Sequence, residues 1–350
     1  MKADRLIALD YLRGITALGM MSYHYSSWFY VGSWDAHSFF GRLGIYGVSV
    51  FFILSGFTLF YSYHKRLNPD FESLRSFTLA RLFRIFPLLW VVQFCTILLL
   101  PRQNEISWQT ILLNISGLFA FFAWTQPIGI GVWSIGNELV YYALFPVLLF
   151  ISRAARTGYA FAALGCIGLT SLVYGSFAID SAKTLVSQWS NYINPINNLV
   201  FFILGIVAAR ILSSIQVKSK ISYGFICISI ILFTMIPAHG DPVTLVTGWR
   251  RLVFILICTS LVIGVRFLAD IPQRAHAILF WLGEKSYAIY LLHPLTYKII
   301  FFHSPFKNAG LTIKVATSVV LTLTTAQMSY SILERPCILI GKRIIRRASG

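Results

Sequence analysis

Runs of about 20 apolar residues recur along this chain from end to end, and no other feature limits its fold as strongly. They lie at about 9–30, 45–62, 83–100, 133–151, 159–178, 196–212, 221–237, 249–268, 286–302 and 311–332. A bilayer core takes about 20 residues of helix to cross. Within lipid a backbone must satisfy its own hydrogen bonds, so each run is expected as a helix. The predicted architecture is all-α: a polytopic membrane helix bundle of about ten transmembrane helices, forming a single domain over 1–350. Only 12% of residues are charged, half the roughly 25% of a soluble domain.

The charges that do occur fall between the runs. The net charge of +17 therefore reads as membrane topology rather than as a nucleic-acid surface. Segment 107–123 (WQTILLNISGLFAFFAW) is long enough to be an eleventh crossing, and charge decides the matter. If it does not span and the N-terminus is cytoplasmic, 21 Lys and Arg lie inside and 8 outside. If it spans, the later basic loops invert and the asymmetry largely disappears. The positive-inside rule favours ten crossings with both termini cytoplasmic, in a plasma membrane. Segment 107–123 should then lie flat, re-enter or pack against the bundle. The first run carries Asp10 and Arg13, which does not suit a cleavable signal, so it is expected to remain in the mature protein. The five cysteines are scattered, with neither metal-ligand spacing nor a disulfide pattern.

Several polar residues interrupt the runs. Arg13 and His24 stand eleven positions apart in ALDYLRGITALGMMSYHYSSWFY. Eleven residues make nearly three helical turns, so the two share a face, offset by about 20° and separated by about 16 Å. Ionisable groups inside a membrane are costly and usually functional. Asp10 can pair with Arg13 at i,i+3. A neutral His24 can take a proton from a hydroxyl near physiological pH. A snorkelling arginine and a hydrogen-bonded core histidine are the bland alternatives.

Arg81 and Arg84 (LARLFRIFPLLW) share a face at the cytoplasmic mouth of the third run, with Lys65, Arg66 and Arg75 nearby. Guanidinium forks match phosphate oxygens, so a phosphorylated ligand is one reading and a positive-inside flank the other. Trp133, Ser134, Glu138 and Tyr142 lie in VWSIGNELVYYALFP. Glu138 sits just inside the outer end of its run, where an acid needs a partner or a water-filled cavity. His293 precedes Pro294 in the ninth run. Glu334 and Arg335 are expected to form a local ion pair ended by Pro336, and KRIIRRASG a solvated basic tail. Gly47 and Gly56 (GVSVFFILSGF) should allow close helix packing.

Taken in order, these segments resemble the membrane acyltransferase 3 family over roughly 5–345. The Arg-x10-His of that family is met by Arg13 and His24, and its GV-x-x-FF-x-LSGF by residues 47–57. Its Arg-x-x-Arg-x-x-P is met by residues 81–87, and its WS-x-x-x-E-x-x-x-Y by residues 133–142. Its Y-x-x-YL-x-H segment is met by residues 287–295, and its terminal ERP by Glu334 to Pro336. Many members carry two adjacent acids after the WS, whereas here Glu138 is followed by Leu139. The HPL at His293 replaces H-x-P, and the resemblance is to the form without a fused extracytoplasmic domain.

The resemblance implies O-acyl transfer, usually acetyl, from cytoplasmic acetyl-CoA to a hydroxyl of a cell-envelope or secreted carbohydrate or glycolipid. It implies catalysis by the pair Arg13 and His24 and donor handling by Arg81 and Arg84. From the residues themselves Glu138 is expected to join the catalytic groups, and Arg13, about 16 Å from His24 on a straight helix, to help bind the donor. Tyr142, Trp133, Ser134 and His293 are expected to line the acceptor side or pore, Glu138 and Tyr142 lying in its outer half. No metal and no nucleic acid is expected. The alternative is a transporter or flippase with a proton-linked Arg/His/Glu pathway, against which the absence of a detectable repeat counts.

Overall fold

A computed structural model of the chain describes residues 6–30, 35–99, 106–153, 157–213, 215, 219–268, 271–303 and 305–348. Lys2, Arg5, Arg102, Arg156 and Lys218, which enter the charge argument, lie outside the described residues. Among those described, all regular structure is helical. The long helices are α1 (Ile7–Phe29), α2 (Phe39–Tyr63), α3 (Phe71–Leu98), α4 (Val132–Ser152), α5 (Thr157–Ala178), α6 (Pro195–Leu212), α7 (Ser219–Met235), α8 (Gly248–Arg266), α9 (Gln273–Lys298) and α10 (Leu311–Ser329).

Seven are long and apolar enough to cross a membrane: α2 to α6, α8, and the continuous helix beginning at Leu311. The architecture is thus multi-pass, but the full count of ten is not reached on length and apolarity alone. The reasons are local. Helix α7 has only 17 residues. Helices α1 and α9 are diluted by polar residues, among them Asp10, Arg13 and His24 on one and Glu284, Lys285 and His293 on the other. Those two helices pack on each other in parallel. A Cβ on Gly14 would stand 2.6 Å from Leu282 Cβ, and one on Gly283 would stand 2.5 Å from the Asp10 carbonyl oxygen. Small residues let the backbones touch.

Helices α2 and α6 meet the same way. A Cβ on Gly56 would lie 2.1 Å from Phe202 O, and one on Gly205 the same distance from Ile53 O. Gly47 faces Met20, whose sulfur would be 2.3 Å from an added Cβ. The helix starts are built from short polar side chains. Ser38 accepts from Gly41 N, Asp70 from Ser73 N, and Asn194 from Ile196 N ahead of Pro195.

Segment 107–123 is broken. It forms helices Trp108–Ser116 and Phe119–Phe122, separated at Gly117, whose φ of 77° suits glycine. Nine residues reach about 14 Å, half a bilayer core. Asn114 holds the turn by donating to the Thr110 and Gln126 carbonyls and accepting from Ile128 N. Trp90 of α3 donates to the Ile115 carbonyl, pinning the segment to the bundle.

Two expectations for the C-terminal region are corrected. Pro336 does not end the last helix. A π-helical turn over Tyr330–Glu334 absorbs the missing N–H, and the helix runs on through Arg335–Ala348. Residues 342–348 are therefore helical, and Gly341 packs on the Phe83 ring. Glu334 does not ion-pair with Arg335. It is 4% exposed and turns into the bundle, where Ser329 donates to it.

Basic residues gather at one end. Arg153 donates to the Tyr63 and Leu67 carbonyls, and Arg266 lies over the Tyr61 ring. The opposite end is laced by loop contacts, among them Ala36 N to Gly240 O and Leu185 N to Asp241. There the fully buried Arg42 donates to the carbonyls of Phe233 and Ile236 at the end of α7. In the same region Asp35 accepts from the backbone N–H groups of His37 and Gly240, which hold its carboxyl below the usual range.

Candidate active site

A cavity of about 760 Å³ opens at the basic end and runs into the bundle. Its mouth carries Arg66, Arg81 and Lys342; its far end is formed by Ser134 and Tyr290. Helices α1, α2, α3, α4 and α9, and the continuation of α10 from Tyr330 onward, all contribute walls.

Arg13 lines it from α1. Its guanidinium donates to Thr58 Oγ1 at 2.6 Å and the Leu54 carbonyl at 3.4 Å, and pairs with Asp10 at 3.3 Å. The i,i+3 pair expected from sequence is present. Arg81 and Arg84 line the cavity from one face of α3. Arg81 lies over the rings of Tyr63, Phe77 and Tyr142, and its Nε is buried without a hydrogen-bond partner among the described residues. Arg84 exposes its side chain to the cavity, where Glu138, Asp10 and Glu334 provide negative charge. Two guanidinium groups with donors to spare, at the mouth of a deep cavity, fit a phosphate-bearing ligand.

Glu138 has both a partner and a cavity. Its Oε1 accepts from Ser55 Oγ at 2.7 Å and from the Tyr142 hydroxyl one turn below. Glu138 and Tyr142, expected in the outer half, thus share one chamber with the arginines. Ser134 caps that chamber, bonded to Tyr290 OH at 2.9 Å. Trp133 does not line it. One residue along a helix is about 100° around it, and Trp133 packs instead on Trp189 and Tyr192 at 5.9 and 5.8 Å.

His24 and His293 also stand off the cavity. They pair with each other, Nδ1 of His24 to Nε2 of His293 at 2.9 Å. Trp28 stacks on His24 at 4.7 Å, and the Tyr290 ring stands edge-on to His293 at 6.0 Å. Tyr290 thus both lines the far end of the cavity and contacts the histidine pair. His293 is 1% exposed, buried by this packing rather than lining a pore. Among the described residues no group of three or more His, Cys, Asp or Glu is placed to hold a metal.

The sequence reading missed Ser55, Thr58, Tyr287, Tyr290, Glu284 and Glu334 as lining residues. A signal existed for the first two: they are polar, three apart, and sit in an otherwise apolar stretch after FFIL. The tyrosines carried none, since a membrane-interface role would place the same residues in the same run.

A bundle of membrane-length helices around a cavity walled by arginine and carboxylate defines a multi-pass membrane protein with a built site inside the bundle. The chain belongs to the acyltransferase domain family, whose pattern matches residues 6–329. It is 26% identical to a candidate O-acetyltransferase of Staphylococcus aureus over 94% of this chain and 56% of that protein. It is 25% identical to a candidate peptidoglycan O-acetyltransferase, YrhL, of Bacillus subtilis over 97% of this chain and 56% of that one. It is 26% identical to the exopolysaccharide production protein ExoZ of Rhizobium meliloti over 90% of this chain and 95% of that one. The chain spans about half the length of the first two.

Proposed function

We propose that this protein is an integral-membrane O-acyltransferase. It would move an acyl group, acetyl by preference, from cytoplasmic acyl-CoA to a hydroxyl of a cell-envelope or secreted carbohydrate or glycolipid. The observation that carries this reading is the cavity: its basic mouth and its depth suit a phosphorylated carrier with a long arm, in a chain of the acyltransferase family. The proposed orientation puts that mouth and both termini in the cytoplasm, with ten crossings of the plasma membrane.

Arg81 and Arg84 hold the donor phosphates through paired N–H groups. Arg13, fixed by Thr58 and Asp10, offers further charge from the α1 wall of the same cavity. Acyl-CoA brings an activated thioester. His24 takes the proton of the acceptor hydroxyl as its oxygen bonds to the thioester carbon. The C–S bond breaks, and His24 returns the proton to the departing sulfur. For this the Tyr290 ring must swing from between cavity and imidazole. Glu138, held by Ser55 and Tyr142, balances the arginine charge and faces the acceptor side of the chamber.

The test uses the full chain in lipid nanodiscs with labelled acetyl-CoA and envelope glycan. Wild type is expected to release CoA and label the glycan. His24→Ala, inserted normally, is expected to lose at least 100-fold, the typical worth of a positioned base being about 10² to 10⁴. Full activity in that variant removes His24 from the chemistry. Solute flux through liposomes without acyl-CoA would favour the transporter reading.

A further inference from the structure

The buried His293 and the half-buried His24 fix each other's protons, and the order of their hydrogen bonds can be read from an acceptor that has no choice. His293 Nδ1 lies 3.0 Å from the Ile289 carbonyl oxygen. A carbonyl only accepts, so Nδ1 of His293 carries its hydrogen. A neutral imidazole has one N–H, which leaves Nε2 of His293 as a bare acceptor. No carboxylate hydrogen-bonds either ring among the described residues, and an imidazolium buried without one is costly. The atom facing that bare nitrogen at 2.9 Å is His24 Nδ1. It must donate, and the lone pair of His24 is then on Nε2.

His293 is itself held firmly. Its carbonyl accepts from Tyr25 OH at 3.1 Å and Thr296 Oγ1 at 2.9 Å. Those two hydroxyls close a triangle with Thr322 Oγ1, with sides of 2.6 to 2.7 Å. The cluster ties α1, α9 and α10 together beside the imidazole pair. Trp28 and His293 flank His24 with their rings inclined at 17° and 21° to it, which limits its rotation.

We propose that His293 is a positioning residue: the run from the Ile289 carbonyl through His293 to His24 locks His24 in the form whose Nε2 is free to take a proton. This rests on the reading of His24 as the base. His24 bonds the acceptor proton at Nε2, and the resulting charge is shared through Nδ1–H with the Nε2 of His293. No proton need leave the pair before the thiolate reclaims it. The arrangement does for a buried imidazole what an orienting hydrogen bond to the second ring nitrogen does elsewhere.

The test is magnetic resonance on full-length protein with 15N-histidine in nanodiscs, using correlations that separate a protonated from a bare ring nitrogen. Wild type is expected to show both histidines with hydrogen on Nδ1 and bare Nε2, assigned with His24→Gln and His293→Gln. His293→Leu is expected to release His24 to a mixture of forms and to lower kcat about 100-fold, a base's typical contribution being about 10² to 10⁴, with the KM for acetyl-CoA unchanged. His293→Gln, whose amide oxygen reaches the place of Nε2, should restore the Nδ1–H form and most of the rate.

A wild-type His24 protonated on Nε2 overturns the proposal. So does a His293→Leu variant whose His24 form and kcat are unchanged, or equal losses in the Leu and Gln variants. If the Leu variant fails to insert, the wild-type spectrum and the Gln variant still decide. Full activity in His24→Ala would defeat the base reading alone, because the ring forms are read without turnover.

Discussion

At the scale of single residues, Arg84 gives the sharpest expectation. It faces the cavity among three carboxylates rather than being consumed by one. A charged hydrogen bond contributes about 1.5–3 kcal/mol, so Arg84→Ala should raise the KM for acetyl-CoA by about tenfold or more. Arg84→Lys should recover only part, because the two-pronged geometry is lost; initial rates against donor concentration measure both. Asp35 gives the expected pH effect. With its carboxyl held below the ordinary 3.8 by two backbone N–H groups, its contribution is complete above that value. It is lost as pH falls through the lowered one. The protection of Gly240 N–H, its hydrogen-exchange rate compared with the intrinsic rate at the same pH, should fall in acid, and Asp35→Asn should lower it at neutral pH; unchanged protection in that variant would show the contact carries nothing. At this scale much was legible in the sequence. Arg13, Arg81, Arg84, Glu138 and Tyr142 stand out in the sequence, and the i,i+3 and i,i+4 spacings put Arg81 with Arg84, and Glu138 with Tyr142, on one face of their helices before any tertiary contact forms.

At the scale of elements, the close helix contacts are the part most exposed to substitution. An added Cβ on Gly56 meets backbone, not a movable side chain. Gly56→Leu should force α2 from α6 and cost at least the roughly 1–3 kcal/mol of an overpacked core. Gly224→Ala, with open space around it, serves as the neutral control. Thermal unfolding of detergent-solubilised protein compares them, and equal midpoints would remove the contact from the account. Apolarity located the runs well but not the helix ends. Helix α3 starts at Phe71 and the last helix ends at Ala348, well beyond their apolar stretches. Hydropathy reports where lipid stops, whereas a helix continues for as long as its backbone bonds do. The π turn was hidden for a related reason: a proline after ER reads as a stop unless a neighbouring helix supports the extension.

At the scale of the whole molecule, sidedness is the property to test. Cysteines placed at Arg66 and at Ser187, in a chain freed of its own five, should react with an impermeant maleimide from opposite faces of oriented vesicles, Arg66 from the cytoplasmic one. Labelling of both from one face would overturn the topology. The cavity itself was not legible in the sequence. Its walls join positions as distant as Asp10, Glu138 and Lys342, and no local spacing announces that they meet. The pairing of His24 with His293, 269 positions apart, was hidden likewise.

The plug formed by Ser134 and Tyr290 has an electrical consequence. In the proposed orientation, ions filling the cavity down to that plug would carry the potential of the cytoplasm toward its floor. More of the proposed membrane voltage would then fall over the layer that holds the imidazole pair. A proton moved through the whole of that drop exchanges about 2.3 kcal/mol per 100 mV with the field. A reaction in which no proton leaves the imidazole pair moves no net charge through that drop, so turnover should be equal in an energised and a short-circuited vesicle, and a difference would show that a proton crosses.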